Sequence, residues 1–374
     1  MRYQPGMIIR DTYELEALIG AGASGEVWRA NDNGTIVAIK FMNESLLHGE
    51  KAQKHRQRLE REIYALGLLQ HPNIPRLHDF DLDFERPFVV MDFISSPTFE
   101  HMLNTGDMMR IPVTERLHVL EQIASALTSA HEAGIIHRDI KPGNMNGIDP
   151  PYLLDFSVAL EEESLEHTNF NVGTTIYMTP GGEPPDRLAD NYSFCVVAYE
   201  VLYGEHPLFP RDDETRNAGT YSRIVAFNRL ASGDWRIPSK LPQDQIPYDM
   251  QDADARALTA IFQRAFGDRE KRYLYLEEFI ADLKQAILTP GTLARAASMP
   301  HTEAPQPPQS PQVIPQGQSF TVLEVEGSPS DHTASAPTPE QPTVPSPLQP
   351  QNTPAEESIV DRLKKGFGRF FGNG

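Results

Sequence analysis

The sequence predicts an α+β chain of two lobes, strands first and helices after, followed by a disordered proline-rich tail. Three observations predict it. Short β-branched and aromatic runs cluster before Asp92 around a glycine-rich loop. Beyond Pro112, apolar residues recur at helical spacing. From Thr289 the composition turns to proline, glutamine, serine and threonine.

Each element follows from local pattern. Tyr13 to Ile19 and Val27 to Ala30 read as strands flanking Gly20-Ala21-Gly22-Ala23-Ser24-Gly25, and Ile36 to Phe41 as a third strand. Gln53 to Leu69 has helical spacing, with Leu59, Ile63, Leu66 and Leu69 on one side. Phe88-Val89-Val90-Met91 is another strand. Helices are expected over Thr114 to Ala133, Tyr192 to Leu202, Ala255 to Phe266 and Leu276 to Leu288. Fifteen of the 32 prolines lie between Pro290 and Pro354, in a stretch too poor in apolar residues to offset its ordering entropy. The expected division is therefore a folded domain over 1–288, a Pro/Gln/Ser/Thr-rich linker over 289–355 and a short basic amphipathic segment over 356–374.

Bulk properties narrow the function. A formal net charge of −19 argues against nucleic acid as a partner and weakly favours cationic ones. Cys195 is the single cysteine, so no internal disulfide forms and a reducing compartment fits. The first ten residues carry no apolar signal-peptide core, and no apolar stretch reaches the ~18 residues of a membrane span. The expected location is the cytoplasm.

The glycine loop alone is a weak signal, because dinucleotide-binding folds share its spacing. Here it leads into a strand, and Val37-Ala38-Ile39-Lys40 follows, placing a lysine to reach back to phosphates. A lysine in such a cleft needs an anion; Glu62 is the candidate and Glu60 its competitor. His137-Arg138-Asp139-Ile140-Lys141-Pro142-Gly143-Asn144 is the most specific stretch. Asp139 can accept a proton from an attacking hydroxyl. Lys141 can stabilise a phosphoryl group in transfer, and the Asn144 amide oxygen suits Mg2+. Asp155, in Leu153-Leu154-Asp155-Phe156-Ser157, would be the second metal ligand.

Further motifs stand in order: Val172-Gly173-Thr174, Tyr177-Met178-Thr179-Pro180, Asp190-Asn191-Tyr192-Ser193-Phe194 and Asp268-Arg269-Glu270-Lys271-Arg272. Over roughly residues 10–288 the chain resembles the bacterial-type, eukaryotic-like serine/threonine protein kinases. The resemblance implies a two-lobed fold with ATP between the lobes and transfer of its γ-phosphoryl to protein Ser/Thr hydroxyls. It implies Mg2+ as the cation, with Mn2+ as the alternative. Met91 then becomes the gatekeeper and Asp92 to Ile94 the hinge. Ile19, the loop Gly20 to Gly25, Val27 and Ala38 would cover the adenine and phosphates, with Met145 or Asn146 beneath. Arg138 would hold a phosphate on the activation loop, at Thr168 first and Ser164 second. Thr174 would bond Asp139 and Lys141.

Three positions depart from the family pattern. Ser157 replaces the glycine of D-F-G. Gly181 replaces the glutamate of A-P-E, with Glu183 as a possible substitute partner for Arg272. Asn146 is polar where the adenine floor is normally apolar. The first two support an alternative reading, a pseudokinase acting as a nucleotide-binding scaffold. In the last segment, Ile359, Val360, Leu363, Phe367, Phe370 and Phe371 form one helical stripe amid Arg362, Lys364, Lys365 and Arg369. That pattern suits an anionic surface at the inner face of a membrane; docking on a protein partner or on the chain's own domain is the alternative.

Overall fold

The computed structural model describes residues 3–22, 25–44, 52–156, 175–180, 183–210, 213–217 and 220–289. Ala23, Ser24, Ser157, Ser164, Thr168, Thr174, Gly181, the linker past Thr289 and the basic segment lie outside these residues.

The small lobe is built on one antiparallel sheet. Its strands are β1 (Ile8–Ile9), β2 (Tyr13–Ala21), β3 (Gly25–Asp32), β4 (Thr35–Met42), β5 (Leu77–Asp81) and β6 (Phe88–Asp92). Their spatial order is β1-β2-β3-β4-β6-β5. Side chains alternate across a strand with period two. In β4 this sends Val37, Ile39 and Phe41 into one core with Leu15, Trp28, Phe88 and Val90. Ala38 and Lys40 take the opposite face. The register pairs Lys40 with Val27 on one side and Val89 on the other, and Ala38 with Met91. The V-A-I-K run is thus two core residues alternating with two cleft residues.

Helix α1 (Ala52–Leu68) buries Leu59, Ile63 and Leu66 against the sheet side. Glu62 lies three residues after Leu59 and four before Leu66, so it shares their face. Glu60 faces elsewhere and pairs with Arg56 one turn back at 3.5 Å. The helical face therefore decides between the two glutamates.

The large lobe holds α2 (Phe99–Thr105), α3 (Val113–Glu132), a small hairpin of β7 (Met145–Asn146) and β8 (Tyr152–Leu153), then α4 (Arg187–Tyr203), α5 (Thr220–Ala231), α6 (Ala255–Phe266) and α7 (Leu276–Leu288). Every residue of α4 from Asp190 to Tyr203 is buried, as expected for a central helix apolar almost all round. It begins five residues before the expected Tyr192. The Asp186 carboxylate accepts the amides of Leu188 and Ala189 and so nucleates the first turn. Gly204, at φ 77°, ends the helix. The spans of α3, α6 and α7 match expectation to within one residue. β1, β5, α2 and α5 were not expected: the first three are short, and α5 leaves the large apolar residues Ile224 and Phe227 exposed. No described helix is long and apolar enough to cross a membrane.

Candidate active site

The glycine loop is the β2–β3 turn. The Gly22 amide donates to the Gly25 carbonyl at 2.9 Å, closing it. Gly25 sits at φ 153°, and a Cβ there would collide with the Phe41 carbonyl oxygen on β4. Glycine therefore lets the loop lie tight on the sheet. Ile19, next to the loop, is 47% exposed, an apolar side chain left open at the roof. Val27 is half-buried and Ala38 buried.

Lys40 extends from the cleft face of β4. Its Nζ donates to both carboxylate oxygens of Glu62, at 2.7 and 2.9 Å, and to Oδ1 of Asp155 at 3.0 Å. Burial works to lower the Lys40 ammonium. The Asp155 and Glu62 carboxylates outweigh it and hold the group above its ordinary range, so it stays charged. A cation buried between two anions is a ready phosphate partner.

The catalytic-loop stretch follows α3. Asp139 is its centre. Lys141 Nζ donates to Asp139 Oδ2 at 2.7 Å, and Asn144 Nδ2 donates to the same oxygen at 3.0 Å and to the Asp139 carbonyl at 2.8 Å. Oδ1 of Asp139 is buried with no hydrogen-bond partner among the described residues. A buried carboxylate oxygen left unpaired is costly, and an incoming hydroxyl satisfies it. Because Asn144 spends its amide nitrogen on Asp139, its Oδ1 remains for a cation. Asp155 adopts φ 64°, and Phe156 after it is fully buried against the His137 ring at 4.7 Å between centroids. Asn144 and Asp155 offer two oxygen donors. That is a small set, and it fits Mg2+, which keeps waters and phosphate oxygens in its remaining positions.

At the expected hinge position, the Asp92 carboxylate is engaged by β5 and the residue before it. It accepts the Arg76 amide at 2.8 Å and lies 2.6 Å from His78 Nε2. Burial opposes its charge, but the Arg76 amide and His78 keep the carboxyl below its usual range. The Asp92 amide donates to the Arg76 carbonyl at 3.1 Å. Met91 and Ile94 are half-buried beside it. Met145 is fully buried in the large-lobe core. Asn146 is 8% exposed; its Nδ2 donates to the Ser96 carbonyl at 2.9 Å, and its Oδ1 has no partner among the described residues. A separate hollow of about 710 Å³, lined by Leu66, Ile74, Arg76, Leu77 and Tyr152, shares only Asp92 with these cleft residues.

Two contacts brace the site, one through Asp190, which the sequence placed in a motif without a role, and one through Glu183, which it named as a candidate partner of Arg272; His131 had no sequence signal. Asp190, buried in the first turn of α4, accepts the backbone amides of His137 at 2.7 Å and Arg138 at 2.8 Å. His131 Nε2 lies 2.9 Å from the same carboxylate. Arg138 sits at φ 67°, and Asp190 pins that strained turn. Glu183 receives a bidentate pair from Arg272, at 2.7 and 2.8 Å, and a third bond from Arg269 at 3.0 Å. The alternative left open by Gly181 is resolved: the carboxylate two positions on meets the arginine.

A protein kinase domain profile matches residues 13–282, and the order of loop, lysine, catalytic aspartate and metal-side aspartate accords with it. The chain belongs to the protein kinase family. Within the kinases it is similar to the probable serine/threonine-protein kinase PknB of Corynebacterium glutamicum, 30% identical over 320 residues, which cover 82% of this chain and 46% of that protein. It is also similar to serine/threonine-protein kinase A of Synechocystis sp., 33% identical over 242 residues, covering 57% and 44% respectively. A third similar kinase is PknE of Mycobacterium tuberculosis, 35% identical over 204 residues, covering 52% and 35%. The alignments thus span less than half the length of each of these relatives. The kinase fold is the two-lobed one expected, with Lys40 on the small lobe facing Asp155 and Asp139 on the large.

Proposed function

We propose that the chain is an active serine/threonine protein kinase that uses ATP with Mg2+, or Mn2+ in its place. The observation that carries this is the convergence of Lys141 and Asn144 on one oxygen of Asp139 while its other oxygen stays buried and open. In the proposed reaction, a substrate Ser or Thr hydroxyl gives its proton to Asp139 as its oxygen bonds to the γ-phosphorus. The bond from that phosphorus to the bridging oxygen breaks, and ADP leaves with the electron pair. Lys141 stabilises charge on the transferring group, and Lys40, oriented by Glu62, holds the α and β phosphates. Bound Mg2+, held by Asn144 and Asp155, would neutralise charge between the β and γ phosphates. Ile19, Gly20, Ala21, Gly22, Ala23, Ser24, Gly25, Val27, Ala38, Met91, Asp92 and Ile94 form the nucleotide cleft on this reading.

We also propose autophosphorylation between Asp155 and Pro180, at Thr168 before Ser164, with Arg138 near the phosphate and Thr174 bonding the catalytic loop. The working location is the cytoplasm, with residues 356–374 resting on an anionic membrane surface. The scaffold reading loses one of its two supports, because Glu183 supplies the pairing that Gly181 cannot.

The test is incubation with labelled ATP, Mg2+ and a generic basic protein, with Asp139→Asn as control. Label on phosphoserine and phosphothreonine in the wild type alone is the expected result. Nucleotide binding without transfer would favour the scaffold. Mass spectrometry with phosphates only beyond Thr289 would overturn the activation-loop assignment. Equal sedimentation with anionic vesicles of the full chain and one ending at Pro354 would overturn the membrane assignment.

A further inference from the structure

One stretch of the proline-rich linker has no part in the proposed reaction. Between Pro315 and Pro329 the chain carries Phe320-Thr321-Val322-Leu323-Glu324-Val325-Glu326, a run rich in residues that favour strands. It lies outside the described residues. In an extended segment side chains alternate, so Phe320, Val322 and Glu324 share one face. That face is two apolar groups followed by an anion.

The hollow beside Asp92 offers the complement. It encloses about 710 Å³. Leu66 and Leu69 at the end of α1, with Ile74, Leu77 and the Tyr152 ring, make its lining apolar. Arg76 adds a cation, and its side chain is 76% exposed. Among the described residues its only ion-pair partner is Asp92, 3.6 Å from Nε. That carboxylate is already engaged by the Arg76 amide and by His78. The guanidinium is therefore largely unspent. Leu77 also opens β5, the end strand of the sheet, whose outer side carries no strand among the described residues. Arg10 and Tyr13 bond Asp79 further along β5, two residues past Leu77.

The linker starts close by. Lys284, one turn before the end of α7, donates to Glu121 on α3 at 2.6 Å. Next to Glu121, Gln122 accepts from Asn73, and one turn on Ser125 lies 3.1 Å from His71 in the lining of the hollow. The chain thus leaves α7 beside the part of α3 that the hollow abuts. Residues 290–319 separate that exit from Phe320. A flexible linker of that length has an r.m.s. span of about 30 Å, enough for the return.

We propose that residues 320–326 dock in this hollow within one chain, extended beside β5, with Phe320 and Val322 on the apolar lining and Glu324 on Arg76. The segment 356–374 carries more apolar surface, but it would bring its own cations to Arg76. Charge therefore selects the acidic run. Leu66 lies one turn past Glu62, and Asp92 holds the expected hinge position. A docked segment braces both elements.

The experiment uses the full chain. A labelled synthetic peptide of residues 316–328 is titrated by fluorescence anisotropy into the wild type and into Phe320→Asp/Val322→Asp, whose changes lie outside the folded domain. In the wild type the chain's own segment competes at an effective concentration on the order of 1 mM. The peptide is expected to bind the substituted chain at least about tenfold more tightly than the wild type. Adding Arg76→Glu to that chain should weaken the peptide about fivefold, and a Glu324→Arg peptide should recover the loss. Hydrogen exchange at residues 66–78 is the second readout, with protection in the wild type that Phe320→Asp/Val322→Asp removes. Equal peptide affinity for the two chains, or no binding to either, overturns the proposal. So does an Arg76→Glu chain that binds both peptides as before. Protection that survives Phe320→Asp/Val322→Asp and is lost with Phe367→Asp/Phe370→Asp also overturns it, and gives the hollow to the basic segment. Protection that grows with protein concentration overturns docking within one chain and assigns the hollow to a second copy.

Discussion

Asp139 is positioned from both sides and satisfied from only one. Lys141 and Asn144 lock Oδ2, and Oδ1 is buried without a protein donor among the described residues. Replacing the carboxylate with an amide keeps the shape and removes the proton acceptor. Asp139→Asn should keep the fold and lower the single-turnover rate by about 10²-fold or more. A rate within a few-fold of wild type would place proton acceptance elsewhere. Lys40 is a different case. It is clamped by Glu62 and Asp155, so its orientation is built into the fold. The same clamp explains why its charge survives burial.

Between elements, two carboxylates tie distant parts of the large lobe together. Asp190 on α4 holds two consecutive amides of the loop between α3 and β7, a loop with Arg138 at a positive φ. Asp190→Ala leaves both buried donors without a partner. It should lower stability by about 3 kcal/mol or more and depress kcat with it. An unchanged denaturant midpoint, with unchanged slope, would show that the loop holds itself. Glu183 does the parallel task ahead of α4. Its partner Arg272 has a side chain only 6% exposed, so removing the carboxylate strands a buried cation. Arg269 spreads its guanidinium over both Glu183 and Asp186. Glu183→Ala should therefore cost about 2–3 kcal/mol. A double-mutant cycle with Arg272→Met should return a coupling above about 0.5 kcal/mol, and a value near zero would make the pairing incidental.

For the whole molecule, the core of the described part is one large-lobe cluster, extended into the small lobe by α1, and a separate cluster on the outer face of the sheet. α7 packs on α3 and α6, and its Ala286 carbonyl accepts the Asp254 amide at 2.9 Å. α7, the last helix among the described residues, is thus an integral wall of the lobe. A chain ending at residue 289 should keep its melting temperature within a few degrees of the full chain and its turnover on a generic basic protein. A chain ending before Leu276 should not fold. A large loss of stability on removing 290–374 would show that the tail contributes to the domain.

Much of this was legible along the chain. Lys40, Asp139, Asn144 and Asp155 sit in short runs whose chemistry is local. Strand alternation puts Lys40 on the face opposite Ile39, and helical spacing puts Glu62 beside Leu59 and Leu66. Periodicity also located α3, α6 and α7, because each carries a strong apolar stripe over at least three turns. α2 and α5 escaped it: one is two turns long, and the other leaves Ile224 and Phe227 exposed, so its apolar residues do not mark a single buried face. The pairing of Glu183 with Arg272 across 89 positions was one of the alternatives the family resemblance offered, and the structure chose it; the grip of Asp190 on the loop 52 residues earlier and the approach of Glu100 to Gly143 belong to the tertiary structure alone. Sequence spacing carries no information about such meetings. They depend on how helices pack against one another, and packing is decided by the whole core rather than by any one segment.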